Sequence, residues 1–268
     1  MSPNPESRIP NPGPIAFIGG GNMARSLIGA LVRSGAAARS IAVAEPDEAL
    51  RAALARDFGV ATHVHNSDAV APAGTIVLAV KPQIIREVCA AIGAAIGNAK
   101  PLIVSIAAGI RLDQIESWIG HVLPIVRAMP NTPALIGAGA TGLIANARVS
   151  AAERTRAEAI LGAAGRTAWI EHEDLMDTVT ALSGSGPAYF FLLVEALEDA
   201  AVAQGLPRET ARMLASQTCL GAGRMLTESG EAPATLRERV TSPGGTTAAA
   251  LGAFDAGRSE ERRVGKEC

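Results

Sequence analysis

The chain has 268 residues, of which 48% are hydrophobic, 19% charged and only 3% aromatic, and its formal net charge is −2. This length allows one large domain or two smaller ones, and the apolar content is enough for a core packed mainly with Ala, Val, Leu and Ile. A nearly neutral chain without a basic block in its body argues against nucleic acid or an anionic membrane surface as a partner. No apolar run reaches transmembrane length.

The cysteines and histidines indicate neither a disulfide framework nor a metal site. The three cysteines, Cys89, Cys219 and Cys268, form no C-x-x-C pair. We therefore expect Cys89 and Cys219 to be small buried apolar residues. His63 and His65 alternate along the chain, but no third ligand accompanies them, so we predict no metal at this pair.

The start of the chain, residues 1–13, is rich in Pro, Asn and Ser. It lacks the apolar core of a signal peptide. We expect it to be a disordered leader on a cytoplasmic protein.

The first half of the chain alternates apolar strands with amphipathic helices. Strands are predicted at 15–18, 40–44, 75–80, 102–106, 122–128 and 140–145. Helices are predicted at 22–34, 47–58, 82–96, 112–118 and 151–164. This alternation is typical of a parallel sheet covered by helices on both faces. We therefore predict an α/β domain over residues 14–172.

The pattern changes after residue 172. Segments 173–183, 188–204, 207–229 and 233–240 are rich in Ala, Leu, Glu and Arg at helical spacing. No convincing strand follows them. We predict an all-helical second domain over residues 173–257.

The first strand runs into a turn that fits the dinucleotide-binding pattern G-x-G-x-x-G/A, Gly19-Gly20-Gly21-Asn22-Met23-Ala24. Gly19 permits the tight turn, Gly21 lets a pyrophosphate approach the backbone, and Ala24 lets helix and strand pack closely. Free amides at the start of the helix would then bind the phosphates. The alternative is a glycine-rich turn with a structural role only.

Glu45 ends the second strand, where an acid can accept hydrogen bonds from both ribose hydroxyls of NADH and would repel the 2′-phosphate of NADPH. Arg51, one helical turn into the next helix, could offset that repulsion. Alternatively, Glu45 serves only as a charge before a helix start, because Pro46 and Asp47 follow it. The choice between NADH and NADPH stays open.

Two further strand ends point toward the same crevice. Ala79-Val80-Lys81-Pro82 ends the third predicted strand, and strand carboxyl ends line the ligand crevice in this architecture. Lys81 could hold a cofactor phosphate or be solvated on a loop. The small residues of segment 105–109 would let a flat nicotinamide ring lie against the backbone.

Taken together, five stretches resemble the pyrroline-5-carboxylate reductase family. They are 17–24 (FIGGGNMA), 79–82 (AVKP), 129–133 (MPNTP), 182–189 (LSGSGPAY) and 240–247 (VTSPGGTT). The last stretch is close to the signature of the family and is the most specific. The resemblance runs in order from about Pro14 to Gly257.

This resemblance implies a fold, a reaction and an assembly. The fold would be an N-terminal Rossmann domain followed by an all-helical dimerisation domain. The reaction would be hydride transfer from NADPH or NADH to the C=N bond of 1-pyrroline-5-carboxylate, giving L-proline. The chain would form a homodimer or a higher homo-oligomer.

The resemblance also implies site residues. Cofactor contacts would lie at 19–24, Asn66, 79–82 and Ala107. The substrate would contact the loop of Ser242, Gly244, Gly245, Thr246 and Thr247. Thr247, as the catalytic residue, would hydrogen-bond the ring nitrogen.

The residues of that loop are compatible with this role. Pro243-Gly244-Gly245 favours a tight turn, and Thr246 begins an Ala-rich helix whose free amides could bind the substrate carboxylate. The alternative is an ordinary capping turn before a helix. Segment 183–187 has the same ambiguity. For Tyr189, the single tyrosine, we favour a core or interface role over catalysis.

The lack of His and Lys in the predicted second domain separates this reaction from oxidation of a hydroxy acid. Residues 173–257 contain no His and no Lys, whereas dehydrogenases of hydroxy acids need such a base for the hydroxyl proton. An iminium substrate would bring its own proton. The alternatives are a hydroxyacid dehydrogenase of the same architecture and a non-catalytic dinucleotide-binding regulator.

The last residues, 258–268, read RSEERRVGKEC and leave the family pattern directly after Gly257. With one choice of codons they match the translation of a common sequencing adapter. We expect a non-native tail. The alternative is a genuine charged tail.

Overall fold

The structure is a computed structural model that describes residues 13–256. The predicted leader, apart from its last residue, and the predicted tail at 258–268 lie outside the described residues. The chain divides into two compact units that meet in the sequence between Gly184 and Ser185. The domain boundary at residue 172 stays a prediction.

The first unit contains one eight-stranded sheet with the order β3-β2-β1-β4-β5-β6-β7-β8. Its strands are β1 (Ile15–Ile18), β2 (Ile41–Ala44), β3 (Ala61–His63), β4 (Thr75–Leu78), β5 (Leu102–Ser105), β6 (Ile125–Met129), β7 (Gly139–Ala145) and β8 (Gly165–Trp169). Its principal helices are α1 (Asn22–Arg33), α2 (Glu48–Phe58), α3 (Asn66–Val70), α4 (Ile85–Ile96), α5 (Leu112–Ile119) and α6 (Ala151–Gly162). The predicted Rossmann-type α/β architecture is confirmed.

The sheet is mostly parallel, as predicted, with one antiparallel pair that the sequence did not indicate. β7 pairs antiparallel with β6, with Val126 opposite Ala145, whereas all other neighbouring strands are parallel. The link between β6 and β7 contains only the short 3-10 helix Thr132–Ile136. A parallel return needs a crossover of about a dozen residues, so this link can only turn the chain back beside the strand it left.

Besides short 3-10 turns, two strands and one α-helix described in the first unit are absent from the sequence prediction. β3 has three residues and no apolar run, and α3 is barely longer than one turn. β8 includes Gly165 and the exposed Arg166 and therefore lacks the apolar run of a buried strand. Short edge strands such as β3 and β8 are fixed by pairing with the sheet rather than by local pattern.

Two apolar layers cover the sheet, one on each face. Ile15 and Phe17 face a layer that includes Leu27 and Leu31 of α1. Ala16 and Ile18 face the opposite layer, which includes buried residues of α3, α4 and α5. This alternation within β1 follows from the two-residue repeat of a strand. Because an apolar layer covers each face of the sheet, all four residues of β1 are buried.

The two cysteines within the described residues behave largely as predicted. Cys89 of α4 is buried in the second apolar layer, and Cys219 is half-buried. Burial without an electropositive partner raises the pKa of the Cys89 thiol to about 11. Cys89 is therefore a packing residue.

The predicted helix over residues 173–183 is wrong as a single element. The chain forms a 3-10 turn at Glu173–Leu175, the short helix α7 (Met176–Val179) and a π-helical turn at Thr180–Gly184. The hydroxyl of Thr180 donates to the Met176 carbonyl at 2.8 Å, and that of Ser183 donates to the Val179 carbonyl at 2.9 Å. Side-chain bonds of this kind compete with a regular backbone ladder.

The second unit is helical, as predicted. It contains α8 (Gly186–Ala203), α9 (Arg208–Glu228), α10 (Pro233–Arg239) and α11 (Thr246–Ala256). The hairpin of α8 and α9 has a buried carboxylate, Glu198, which accepts from Arg208 and Arg212 at 3.1 Å. These hydrogen bonds, that to Arg212 first, hold the pKa of Glu198 below its usual value. Within residues 13–256, no helix is long and apolar enough to cross a lipid bilayer.

Candidate functional site

A cavity of about 760 Å³ opens at the carboxyl ends of β1 and β4. From β1 the strand order runs outward to β2 and β3 on one side and to β4 and β5 on the other, so the connections diverge between β1 and β4. A crevice at such a divergence is the usual ligand site of an open α/β sheet. The described residues that line it are Ile18, Gly19, Gly21, Ala44, Glu45, Pro46, Leu50, Val64, His65, Asn66, Ser67, Ala79, Val80, Lys81, Ile84, Val88 and Ala91.

Gly19 makes the sharp turn after β1, and its position requires glycine for two reasons. Its φ of +97° lies in the left-handed region. A Cβ atom there would lie 2.7 Å from the carbonyl oxygen of Ala79, which is closer than real Cβ atoms approach. The glycine therefore lets the turn pass directly over the end of β4.

Gly21 caps α1 at its N-terminus and leaves the space above the helix open. No described atom lies within 4 Å of the position that a Cβ atom would take. The cap residue has no side-chain hydrogen bond to the helix, and the first turn of α1 carries no acidic residue. The first amides of α1 are thus available to an anion, and the helix dipole favours negative charge there.

Glu45, at the end of β2, is buried beside the glycine-rich turn. One carboxylate oxygen accepts from the Gly20 amide at 2.7 Å, and the other accepts from the Asp47 amide at 3.0 Å. Arg51 does not pair with this carboxylate. Its Nη1 atom donates instead to the carbonyl oxygens of Glu45 and Pro46, at 2.8 and 2.7 Å.

Three partly exposed apolar side chains line the cavity, and the sequence analysis did not identify them. Leu50 is 42% exposed, Val64 50% and Ile84 47%. They come from α2, the loop after β3 and the start of α4. Exposed apolar surface in a cavity suits a flat apolar ring. Val64 was missed because β3 itself was missed.

Polar groups at two further strand ends complete the cavity. Lys81 follows β4 and is exposed, while His65 and Asn66 follow β3 at the start of α3. Asn66 was expected from the family resemblance alone, whereas Lys81 was expected from its place at a strand end. His65 was not predicted as a lining residue, because it follows β3, which the sequence analysis did not predict.

The predicted cofactor residues divide into those that line the cavity and those that do not. Lining residues are Gly19, Gly21, Glu45, Asn66, Ala79, Val80 and Lys81. The others are Gly20, Asn22, Met23, Ala24, Pro82 and Ala107, none of which is among the described lining residues. Gly20 contacts Glu45, Ala24 is buried in the core, and Ala107 lies one strand further along, after β5.

Two of the motifs that carry the family resemblance are joined by a buried asparagine. The Asn131 side chain donates to the Ser183 carbonyl at 2.9 Å and accepts from the Ala140 amide at 2.9 Å. A Cβ atom on Gly184 would lie 2.6 Å from the methyl group of Met129. The segment 129–133 therefore packs on the π-helical turn that precedes α8.

The predicted substrate loop lies in the second unit and forms the expected turn. Gly244 has a φ of +70°, and the Gly245 amide donates to the Ser242 carbonyl at 3.1 Å. α11 begins at Thr246, so the amides of Thr246 and Thr247 are in its first turn. The roles of Ser242, Gly244, Gly245, Thr246 and Thr247 toward a substrate stay predictions.

Comparisons with known proteins agree along the chain. A family model described as pyrroline-5-carboxylate reductase dimerisation matches residues 173–262, and one described as NADP oxidoreductase, coenzyme F420-dependent, matches residues 14–109. The pyrroline-5-carboxylate reductase of Pseudomonas aeruginosa is 51% identical over 242 residues, which cover 90% of this chain and 88% of that protein.

Solved structures give the same family. A pyrroline-5-carboxylate reductase from Coxiella burnetii has a TM-score of 0.88 and 43% identity, and the match covers 92% of both chains. A pyrroline carboxylate reductase from Plasmodium falciparum, with NADP bound, has a TM-score of 0.80 and 29% identity, and the match covers 91% of this chain and 90% of that one.

Proposed function

The chain belongs to the pyrroline-5-carboxylate reductase family, and on that premise we propose how its own residues act. It is an oxidoreductase that reduces the C=N bond of 1-pyrroline-5-carboxylate with NADPH or NADH and forms L-proline. The family prediction from five short motifs is confirmed. The observation that carries the function is 51% identity over 90% of the chain.

The cavity at β1 and β4 fits the phosphates and adenosine of a nicotinamide dinucleotide. The amides at the start of α1 hold the phosphates, because the missing side chain of Gly21 leaves room for them. Leu50, Val64 and Ile84 supply the apolar surface for the adenine ring. When bound, the reduced nicotinamide supplies the hydride for the imine carbon.

The turn before α11 holds the substrate. The amides in the first turn of α11 bind the ring carboxylate, as helix starts commonly bind anions. The hydroxyl of Thr247 hydrogen-bonds the ring nitrogen and orients the C=N bond. Support for this proposal comes from the tight turn at Gly244 and from the match of residues 240–247 to the family signature.

No protein acid is required for the nitrogen. Residues 173–257 contain neither His nor Lys, and an iminium substrate arrives with its proton in place. The chain therefore accelerates the reaction by positioning the two reactants and by matching the charge of the carboxylate with backbone dipoles.

The chain assembles as a homo-oligomer. Helices α8 and α9 carry many large apolar side chains that are exposed in a single copy, among them Phe190 at 57%, Phe191 at 67% and Leu192 at 64%. Exposed apolar patches of this kind mark interaction surfaces. We propose that these helices pair between copies; whether the assembly is a dimer or larger stays a prediction.

The proposed function is tested by oxidation of the reduced cofactor. With the cyclic imine present, the purified chain should oxidise NADH or NADPH at a rate that depends on the imine concentration. A panel of hydroxy acids with the oxidised cofactor is the control and should give no reaction. Turnover of a hydroxy acid without turnover of the imine would contradict the proposed function.

A further inference from the structure

We propose that Glu45 makes this chain prefer NADH to NADPH. The inference rests on the proposed function, since it concerns which cofactor the cavity at β1 and β4 accepts. It goes further because it assigns cofactor selection to one carboxylate of this chain.

The position of the carboxylate is fixed before any ligand binds. Glu45 ends β2, lines the cavity, and each of its two oxygens accepts one backbone hydrogen bond, from Gly20 at 2.7 Å and from Asp47 at 3.0 Å. An ionised carboxylate has about four acceptor sites. The remaining sites suit ribose hydroxyls, which donate. They do not suit a 2′-phosphate, which brings only acceptor oxygens and close to two negative charges.

Arg51 is the next cation along the chain after Glu45. Nη1 of Arg51 donates to two carbonyl oxygens, those of Glu45 and Pro46, and Arg51 is not among the described lining residues. These two hydrogen bonds hold the guanidinium at the backbone carbonyl oxygens rather than at the carboxylate of Glu45. Asp47, two residues after Glu45, also carries a negative charge, and its carboxylate caps α2 by accepting from the Leu50 amide at 3.0 Å.

Two other basic side chains line the described cavity, Lys81 and His65. Lys81 follows β4, and β1 lies between β4 and the strand that carries Glu45, so Lys81 is better placed for the phosphates that link the nucleosides. His65 follows β3, which pairs directly with β2. His65 is thus the described basic lining residue that follows a strand next to β2, and it provides a test.

The preference is measured in two ways, by equilibrium binding and by turnover. Binding of NADH and of NADPH is followed by the fluorescence of the reduced nicotinamide, and kcat/KM is measured for each cofactor with the cyclic imine. We expect NADH to be favoured by at least about tenfold in both quantities. Equal or better binding of NADPH by the unchanged chain would overturn the proposal.

Variants of Glu45 separate the effect of its charge on the cofactor preference from the effect of its shape. Glu45→Ser should reduce the preference by about tenfold or more, mainly through tighter NADPH binding, whereas Glu45→Asp keeps the charge and should keep the preference. Glu48→Gln removes the same charge from an exposed position of α2 and is the matched control, with no change expected. If Glu45→Ser does not fold, the unchanged chain and Glu45→Asp still decide.

The outcomes also separate this inference from the proposed function. Tight, selective NADH binding without imine reduction would leave the cofactor preference intact and contradict the reductase function. Imine reduction with a preference for NADPH would support the reductase function and contradict the proposed cofactor preference. NADPH use that disappears in His65→Ala would show that the cavity selects the phosphate through His65, and would overturn the role of Glu45.

Discussion

Positions 19 and 21 are both glycine, but for opposite physical reasons. Gly19 is required by the folded protein itself, because its φ is +97° and the Ala79 carbonyl oxygen fills the place of a Cβ atom. Gly21 has an extended conformation that any residue adopts, and the space beside it is empty of described atoms. The described fold therefore gives no steric reason for glycine at the second position, whereas a phosphate that approaches the backbone does.

This contrast gives a paired prediction. Gly19→Ala should destabilise the fold by about 1–3 kcal/mol, because strain and a steric clash coincide. Gly21→Ala should cost less than about 1 kcal/mol, close to the loss from a weaker helix cap. Both variants should bind NADH at least about tenfold more weakly. Denaturant unfolding and cofactor fluorescence measure the two effects.

Of the two variants, Gly21→Ala is the one that tests whether the phosphates approach the backbone at the start of α1. Wild-type affinity for NADH in this variant, at unchanged stability, would show that the phosphates do not approach the backbone at the start of α1. The glycine-rich turn would then have only a structural role.

At the scale of residues, the sequence assigns positions to the glycines of the turn more readily than it assigns a role to Glu45. The pattern G-x-G-x-x-A fixes the spacing within one turn, so its positions can be assigned locally. The hydrogen bond from Gly20 to Glu45 joins residues that are far apart in the chain, and it exists because β1 and β2 are neighbours in the sheet. The sequence left open whether Glu45 faces a ribose or merely precedes a helix.

At the scale of elements, the proposed function relies mostly on helix starts. α1 and α11 each begin directly after a glycine turn, and we propose that the first amides of each bind an anion. The strands and longer helices were predictable because apolar residues recur with the period of the element. β3 and β8 were not, since a strand of a few mixed residues has no period of its own.

The start of α11 gives the second prediction at this scale. Thr247→Ala should lower kcat/KM for the imine by about tenfold or more, because a hydrogen bond to the ring nitrogen is lost. Cofactor affinity should stay near wild type. Thr241→Ala is the control: its hydroxyl donates to the Arg237 carbonyl at 2.6 Å, and imine reduction should persist without it. Full activity of Thr247→Ala would remove Thr247 from the substrate site.

At the scale of the whole molecule, the chain combines a dinucleotide-binding unit with a helical unit whose apolar helices are exposed in one copy. The sequence predicted both units from a change in pattern near residue 172. It could not give the antiparallel return of β7, because the direction of a strand depends on the length and path of its connection. The motifs 129–133 and 182–189 could be recognised separately, but their contact through Asn131 could not.

In the proposed reaction, hydride passes from the cofactor to the imine carbon of a cyclic imino acid on this chain. The most direct measurement uses NADH and, in a parallel reaction, NADPH, each deuterated at the transferring position, with the cyclic imine as acceptor and mass spectrometry of the product. Proline that carries one deuterium on the former imine carbon is the predicted result. Proline without the label, or no proline at all from correctly folded protein, would contradict the assignment.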